Sequence, residues 1–460
     1  MVSEILNCLD LPSGIDMLSA WIEAQMAYRG QPGLSIAVVR DQKVVWSSGF
    51  GYADIEKSVE ATPKTRYRIA SITKLFTATS IMQLRDKGKL SLDDEVASHL
   101  PWFKLKRGYP EAPPIRVWHL LTHTSGLPRE APTPYWTDSN FPTRETIMRL
   151  ISTQEAAVPT ETLWKYSNLA LTLAGEIVQE VSGTPYAEYV EGNILKPLGM
   201  RDTLVSPPEP GDPKLARGYG RRLPDGSRGV APYTDCKGIT PAANMTTTAE
   251  DLAKFAMLQF RDGPEGGKQI LRGSTLREMH RPHWLQPDWK EGFGIGFRVS
   301  RVCGRTYVGH GGAVQGFRTQ IRLCPDDKVA VVVLTNSDDG QPLNYAEKAL
   351  QWLTHPLTHG EADASRPSDP LRVYNGRFRD TWSDMQMLTL NEGLYAVDPS
   401  QLDPAPTMIK LAPNGEHTFK MYPEEGGGSY GENMVFEFDK RGKVTRVKRG
   451  ENYTYPVKNW

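Results

Sequence analysis

Cysteine is scarce in this chain: Cys8, Cys236, Cys303 and Cys324 are the four in 460 residues. Their spacing matches no metal-ligand pattern. Cys303 and Cys324 fall where neighbouring strands can face each other. Against a bridge stands the stretch Met1 to Asp16, which lacks the basic segment, apolar core and small-residue cleavage site of an export signal. Free thiols and a cytoplasmic protein are therefore expected. Net charge is missing too. Lys+Arg and Asp+Glu both number 54, a balance that suggests neither nucleic acid nor an anionic membrane surface as partner. No apolar run approaches a membrane span, and the chain carries no internal repeat.

What is present describes a soluble globular protein, 39% hydrophobic and 23% charged. Its length exceeds one ordinary core and predicts two or three domains. Ile15, Leu18, Ile22 and Met26 recur at helical spacing and predict a packed amphipathic helix. The β-rich runs Leu34–Val39 and Val44–Ser47 flank Arg40-Asp41-Gln42-Lys43, a hairpin signal. A helix is expected from about Ser71 to near Gly88. A helix- and loop-rich half follows to about residue 290, with helices at Val117–His123, Leu173–Val181 and Ala249–Phe260. Strands return between Phe293 and Val302, then at Arg305–Gly309, Phe317–Leu323 and Lys328–Thr335, before a helix at Asn344–Leu353. The run Val329–Leu334 is continuously apolar and reads as a central strand covered on both faces.

Composition changes at Thr354 to Pro370, which is poor in apolar residues. From Leu371 on, short alternating segments separated by turns predict a small β-barrel or sandwich. The expected division is therefore a domain over 1–355, a linker over 356–370 and a β domain over 371–460. The longest turn there, Glu424 to Tyr430, is glycine-rich and has the composition of a mobile loop able to reach a neighbouring cleft.

Three clusters carry chemistry. In Ser71-Ile72-Thr73-Lys74, the one Ser-x-x-Lys of the chain, serine and lysine lie one helical turn apart on one face. A serine hydroxyl needs a base within hydrogen-bond reach, and a buried lysine serves because desolvation favours its neutral amine. Tyr166-Ser167-Asn168, in a loop before the Leu173 helix, offers a phenol that a cationic lysine biases toward phenolate. Its carboxamide can hold a neighbouring side chain or a substrate amide. His310-Gly311-Gly312-Ala313, at a strand end, lets a ligand backbone approach closely and can supply an N–H to an oxyanion.

In this order the clusters resemble the serine β-lactamase and D-Ala-D-Ala peptidase superfamily, in its class C and esterase-like branch. So do His119-Leu120-Leu121-Thr122-His123-Thr124-Ser125-Gly126-Leu127, Pro197-Leu198-Gly199-Met200 and Gly316-Phe317. The resemblance covers residues 12 to 355. It implies an α+β fold, an antiparallel sheet flanked by helices beside a helical subdomain, with the active site at their junction. By the same resemblance some relatives append a small antiparallel β-barrel, here lipocalin-like, and Tyr374-Asn375-Gly376-Arg377-Phe378 is similar to its opening. The resemblance assigns Ser71 as acylated nucleophile, Lys74 as its base, Tyr166 as proton relay and Asn168 as positioning group. It gives the oxyanion hole to the N–H groups of Ser71 and Ala313. Many relatives have Lys-Thr-Gly where this chain has His310-Gly311-Gly312. A histidine of ordinary pKa is only partly charged at neutral pH, so weaker attraction for a substrate carboxylate is expected.

The expected activity is hydrolysis of a small ester, amide or peptide through an acyl-enzyme, without cofactor or metal, in a monomer or homo-oligomer. The competing readings are a β-lactamase and a non-catalytic peptide- or peptidoglycan-binding protein. His119 and His123 lie four apart, but no third ligand is near them. Tyr135, Trp136, Phe141, Trp284 and Trp289 are the candidate cleft walls.

Overall fold

The computed structural model describes residues 2–263, 265–360, 369–424 and 426–458. They form two compact units, one from Pro32–Ala346 and one from the described parts of Met1–Gln31 and Glu347–Trp460.

In the first unit, β1 (Gly33–Arg40) and β2 (Lys43–Asp54) make the expected hairpin, turned at Asp41 with φ 52°. They are followed by β3 (Val59–Glu60) and β4 (Tyr67–Arg68). After a long helical stretch come β5 (Thr246–Thr247), β6 (Trp284–Leu285), β7 (Glu291–Phe293) and β8 (Arg298–Val302). The series closes with β9 (Arg305–Val314), β10 (Phe317–Cys324) and β11 (Val329–Thr335). Nine of these strands form one antiparallel sheet in the order β3-β2-β1-β11-β10-β9-β8-β7-β6, while β4 pairs with β5. As expected from its unbroken apolar run, β11 is buried at every residue and lies between β1 and β10. The helix α2 (Thr73–Asp86) is buried continuously from Thr73 to Leu84, and Phe76 stacks on Phe255 at 4.3 Å. The helix is enclosed by the core on every side, and its buried polar side chains Lys74, Thr77, Thr79, Ser80 and Gln83 make internal hydrogen bonds.

Two boundaries differ from the sequence reading. β9 continues past Gly309 to Val314, so His310–Ala313 lie within a strand and not at its end. The helix expected at Leu173–Val181 starts at Asn168, because the Ser167 hydroxyl accepts from the Ala170 N–H and caps it; Gly183, at φ 68°, ends it. Cys303 sits in the β8–β9 turn, whereas Cys324 ends β10 with its thiol on Asp327; all four cysteines are free.

The second unit joins α1 (Leu11–Arg29) to a closed eight-stranded antiparallel barrel. Its strands are β12 (Gly376–Arg379), β13 (Asp384–Leu390), β14 (Gly393–Val397) and β15 (Ile409–Pro413). They continue with β16 (Thr418–Pro423), β17 (Asn433–Phe438), β18 (Val444–Arg449) and β19 (Asn452–Pro456). Closure leaves no open edge. Phe378, Met387, Phe419, Met421, Met434 and Phe436 fill the interior. The Asp10 carboxylate caps α1 at the Ser13 N–H, and the helix docks on the barrel. Trp21 Nε1 donates to the Gln401 carbonyl at 2.9 Å, and buried Gln25 Nε2 reaches the carbonyls of Pro399 and Ser400 at 2.9 and 2.8 Å. The helix Pro342–His359 takes up the first residues expected as linker; residues 361–368 of that stretch, and Glu425 of the glycine-rich turn, lie outside the described residues. No helix among the described residues is long and apolar enough to cross a membrane.

Candidate active site

Ser71 stands where β4 turns into α2. Ala70 holds φ 45°, a left-handed conformation that side chains other than glycine adopt at a cost. A single 3-10 turn, Ala70–Ile72, then runs into the α-helix. This brings Lys74 against Ser71, Nζ 2.9 Å from Oγ.

Lys74 is completely buried, and no carboxylate lies within ion-pair distance among the described residues. Its Nζ has three neighbours: Ser71 Oγ, Asn168 Oδ1 at 2.8 Å and the Ala242 carbonyl at 2.8 Å. Burial pulls its pKa down to about 7; the nearby Glu130 charge opposes the shift. In the neutral amine the two carbonyl-type oxygens take both N–H bonds, which leaves the lone pair facing Ser71 Oγ. The Asn168 orientation is itself fixed, because its Nδ2 donates to both Glu130 oxygens at 2.9 and 3.0 Å. Glu130 is held in turn by Arg129 Nε at 3.0 Å and by the Tyr135 hydroxyl.

The Tyr166 hydroxyl donates to Ser71 Oγ at 2.9 Å. Its ring packs at 4.4 Å from His123, with Lys74 Nζ 5.0 Å and the Arg129 guanidinium 5.3 Å from its centroid. Despite these cations, burial pushes the phenol pKa up. The expected bias toward phenolate is therefore reversed: in the free protein Tyr166 is a neutral donor.

His310 is buried within β9, 6.2 Å from the Tyr166 ring. Burial, with Lys74 nearby, drives its pKa down to about 3, so the expected partial charge is absent at neutral pH. Its Nδ1 lies 2.6 Å from the Gly311 carbonyl and must carry the proton, which leaves Nε2 as a buried acceptor without a partner among the described residues. Gly312 is glycine for a steric reason: a Cβ there would lie 2.1 Å from the Ile69 carbonyl and 2.3 Å from Thr319 Oγ1. β8 pairs with β9 only as far as Gly309, so the edge from His310 to Ala313 faces the cleft.

The cleft has a volume of about 660 Å³ and is lined by Ser71, Tyr166, Asn168 and the whole stretch His310–Ala313. All eight residues expected from the sequence thus meet in one place, Lys74 directly beneath Ser71. The expected walls fare less well. Trp136 lines the cleft, but Tyr135 and Phe141 are buried, and Trp284 and Trp289 line a separate depression. Trp164, Phe293, Arg129, Arg298 and Arg318 line it unforeseen. His119 and His123 do not converge: His119 lies between the Arg116 N–H and Glu161, while His123 is the left-handed C-cap of the helix Val117–Thr122 and packs on Tyr166. No cluster suited to a metal ion occurs among the described residues.

A nine-stranded antiparallel sheet with helices, and a Ser-x-x-Lys turn packed against its β9 and β10, are those of the serine β-lactamase and D-Ala-D-Ala peptidase superfamily. Within it the chain belongs to the Beta-lactamase family, whose model matches residues 18–355. Beta-lactamase-like protein 2 of Dictyostelium discoideum is 30% identical over 352 residues, 72% of this chain. The chain spans 63% of the length of that curated relative. Among solved structures, an octameric penicillin-binding protein homologue from Pyrococcus abyssi matches 96% of this chain and 99% of its own, at 27% identity and TM-score 0.65. A D-stereospecific amidohydrolase from Streptomyces matches 73% of this chain and 97% of its own, at 26% identity and TM-score 0.60.

Proposed function

We propose that the protein is a serine hydrolase that is acylated at Ser71 and hydrolyses small esters, amides or peptides. The observation carrying this reading is Ser71 Oγ held at 2.9 Å both by an amine able to take its proton and by a phenol that donates to it. As Oγ attacks a substrate carbonyl carbon, its proton passes to Lys74 Nζ. The oxyanion that forms faces the N–H groups of Ser71 and Ala313. Collapse breaks the bond to the leaving alcohol or amine, which takes the Tyr166 proton; the Lys74 ammonium restores it. Water repeats the sequence on the acyl-enzyme and frees the acid. Asn168 keeps the lone pair of Lys74 aimed at Oγ and is itself held by Glu130.

His310 favours neutral or amine-bearing substrates over the carboxylate of a β-lactam. A neutral imidazole whose Nδ1–H is committed presents only an acceptor, suited to an N–H or O–H of the substrate. p-Nitrophenyl butyrate should accordingly be turned over far faster than nitrocefin. A fluorophosphonate should add one phosphonyl group to the peptide containing Ser71. Ser71→Ala should lose both labelling and turnover, and Lys74→Ala should cost several powers of ten. Turnover surviving in Ser71→Ala would overturn the mechanism. Likeness over nearly the whole chain to an octameric protein supports a homo-oligomer, which light scattering reads directly.

A further inference from the structure

Leu163, Leu285 and Trp289 are large apolar side chains left 56, 42 and 76% exposed. All three converge on one depression of about 400 Å³, which Trp164 and Trp284 also line. Isolated apolar side chains are ordinary on a protein surface, whereas a gathered set marks a contact site, and one that lines a depression suits an apolar ligand. Trp289 is moreover held at φ 60°, a conformation that a non-glycine residue keeps only when its surroundings impose it.

The depression is a neighbour of the catalytic cleft, and Trp164 belongs to the wall of both. Its ring lies 6.3 Å from that of Tyr166, whose hydroxyl donates to Ser71 Oγ. On the other side it stacks on Phe293 at 4.7 Å with 25° between the planes, and Phe293 is paired with Trp284 across β6 and β7. An aromatic surface thus runs from the nucleophile's hydrogen-bond partner out to the β6–β7 hairpin.

We infer that this depression is the outer part of the substrate site and receives the apolar end of an acyl group whose carbonyl is attacked by Ser71. The inference rests on the serine-hydrolase reading and narrows it to esters or amides of medium-length apolar acids. Each methylene buried there strengthens binding up to about fourfold.

The test is a series of p-nitrophenyl esters, acetate, butyrate and octanoate, on the full chain. kcat/KM should rise with acyl length, and Leu285→Ser and Trp289→Ala should each lower the octanoate-to-acetate ratio about tenfold, mainly through KM. An unchanged ratio in both variants overturns the subsite. So does a lowered ratio accompanied by a change in oligomeric mass, since the patch is then an interface between copies. A second arm does not depend on turnover: sodium octanoate should quench the tryptophan fluorescence of Ser71→Ala saturably, and the Ser71→Ala/Leu285→Ser protein should lose that response. Saturable quenching without ester hydrolysis by the unsubstituted protein would sink the enzymatic reading and keep the site; hydrolysis without quenching or chain-length preference would do the reverse.

Discussion

Lys74 owes its chemistry to its surroundings. With its pKa near 7, acylation should rise with pH through about 7 as the neutral amine accumulates, and then level. Because the Glu130 charge favours the ammonium form, Glu130→Gln should move that limb to lower pH; a limb that stays in place would remove Glu130 from the account. His310 is already neutral there, so the limb should survive in His310→Asn. The same depressed pKa has a thermodynamic side. An unfolded chain keeps this lysine protonated up to about 10.5 while the folded one releases the proton near 7, so the contribution of this group to stability climbs between those values and is smallest below 7. Urea midpoints of the unsubstituted protein and Lys74→Met at about pH 7 and pH 9 should show the slope in the first and its loss in the second. Spacing put Ser71 and Lys74 within reach, because three residues on a helix fix a distance, and the resemblance carried by the other two clusters singled the pair out. The protonation of Tyr166 and His310 was invisible, since it is set by burial among elements remote in sequence, as where His123 packs on Tyr166 and Tyr166 lies beside His310. Glu130 was likewise unreadable: nothing local distinguishes it from a solvated carboxylate until the loop folds back on Asn168.

At the level of elements, the site depends on β9 lying hard against the turn before α2. The carbonyl of Ile69 and the hydroxyl of Thr319 occupy the space that a side chain at 312 would need, and Thr319 Oγ1 donates to that carbonyl at 3.2 Å. Gly312→Ala should therefore push the strand away from Ser71. A fall in Tm of several degrees is expected together with a loss of acylation of about a hundredfold or more, since misplacement by an ångström is enough. Unaltered phosphonylation rates in a stably folded Gly312→Ala protein would contradict this. The strand itself was legible, but its end was not: His310-Gly311-Gly312 reads as a terminus because glycines weaken strands, and here they continue one under a steric demand made by another element. The loop aromatics show the same limit. Trp284 and Trp289 were visible as cleft candidates, yet which cavity they line is decided by the β6–β7 pairing, which strands of two and three residues do not announce.

At the scale of the whole molecule, a small β domain, barrel or sandwich, could be read from turn signals, and α1 from its apolar spacing; the closure of eight strands into a barrel is seen only in the structure. That α1 belongs with the barrel could not be read either, because the bonds joining them link residues about 375 apart, as between Gln25 and Ser400. Gln25 Nε2 serves several barrel carbonyls from a buried position, so Gln25→Leu strands them and should cost about 1–3 kcal/mol, seen as a lowered Tm of the second unit. Glu23 pairs with Arg377 and Asp16 with Arg372, and these pairs should add little by comparison. The arrangement also bears on biosynthesis. The helix α1 precedes every barrel strand in the chain and must wait for strands made later, and in the interval its Trp21 side has no barrel to rest on. Closing so long a loop carries an entropic cost that grows only slowly with length, so the delay is kinetic and not thermodynamic. During that wait the nascent chain displays apolar side chains of α1, Leu18, Trp21 and Ile22 among them, that are buried once the fold is complete.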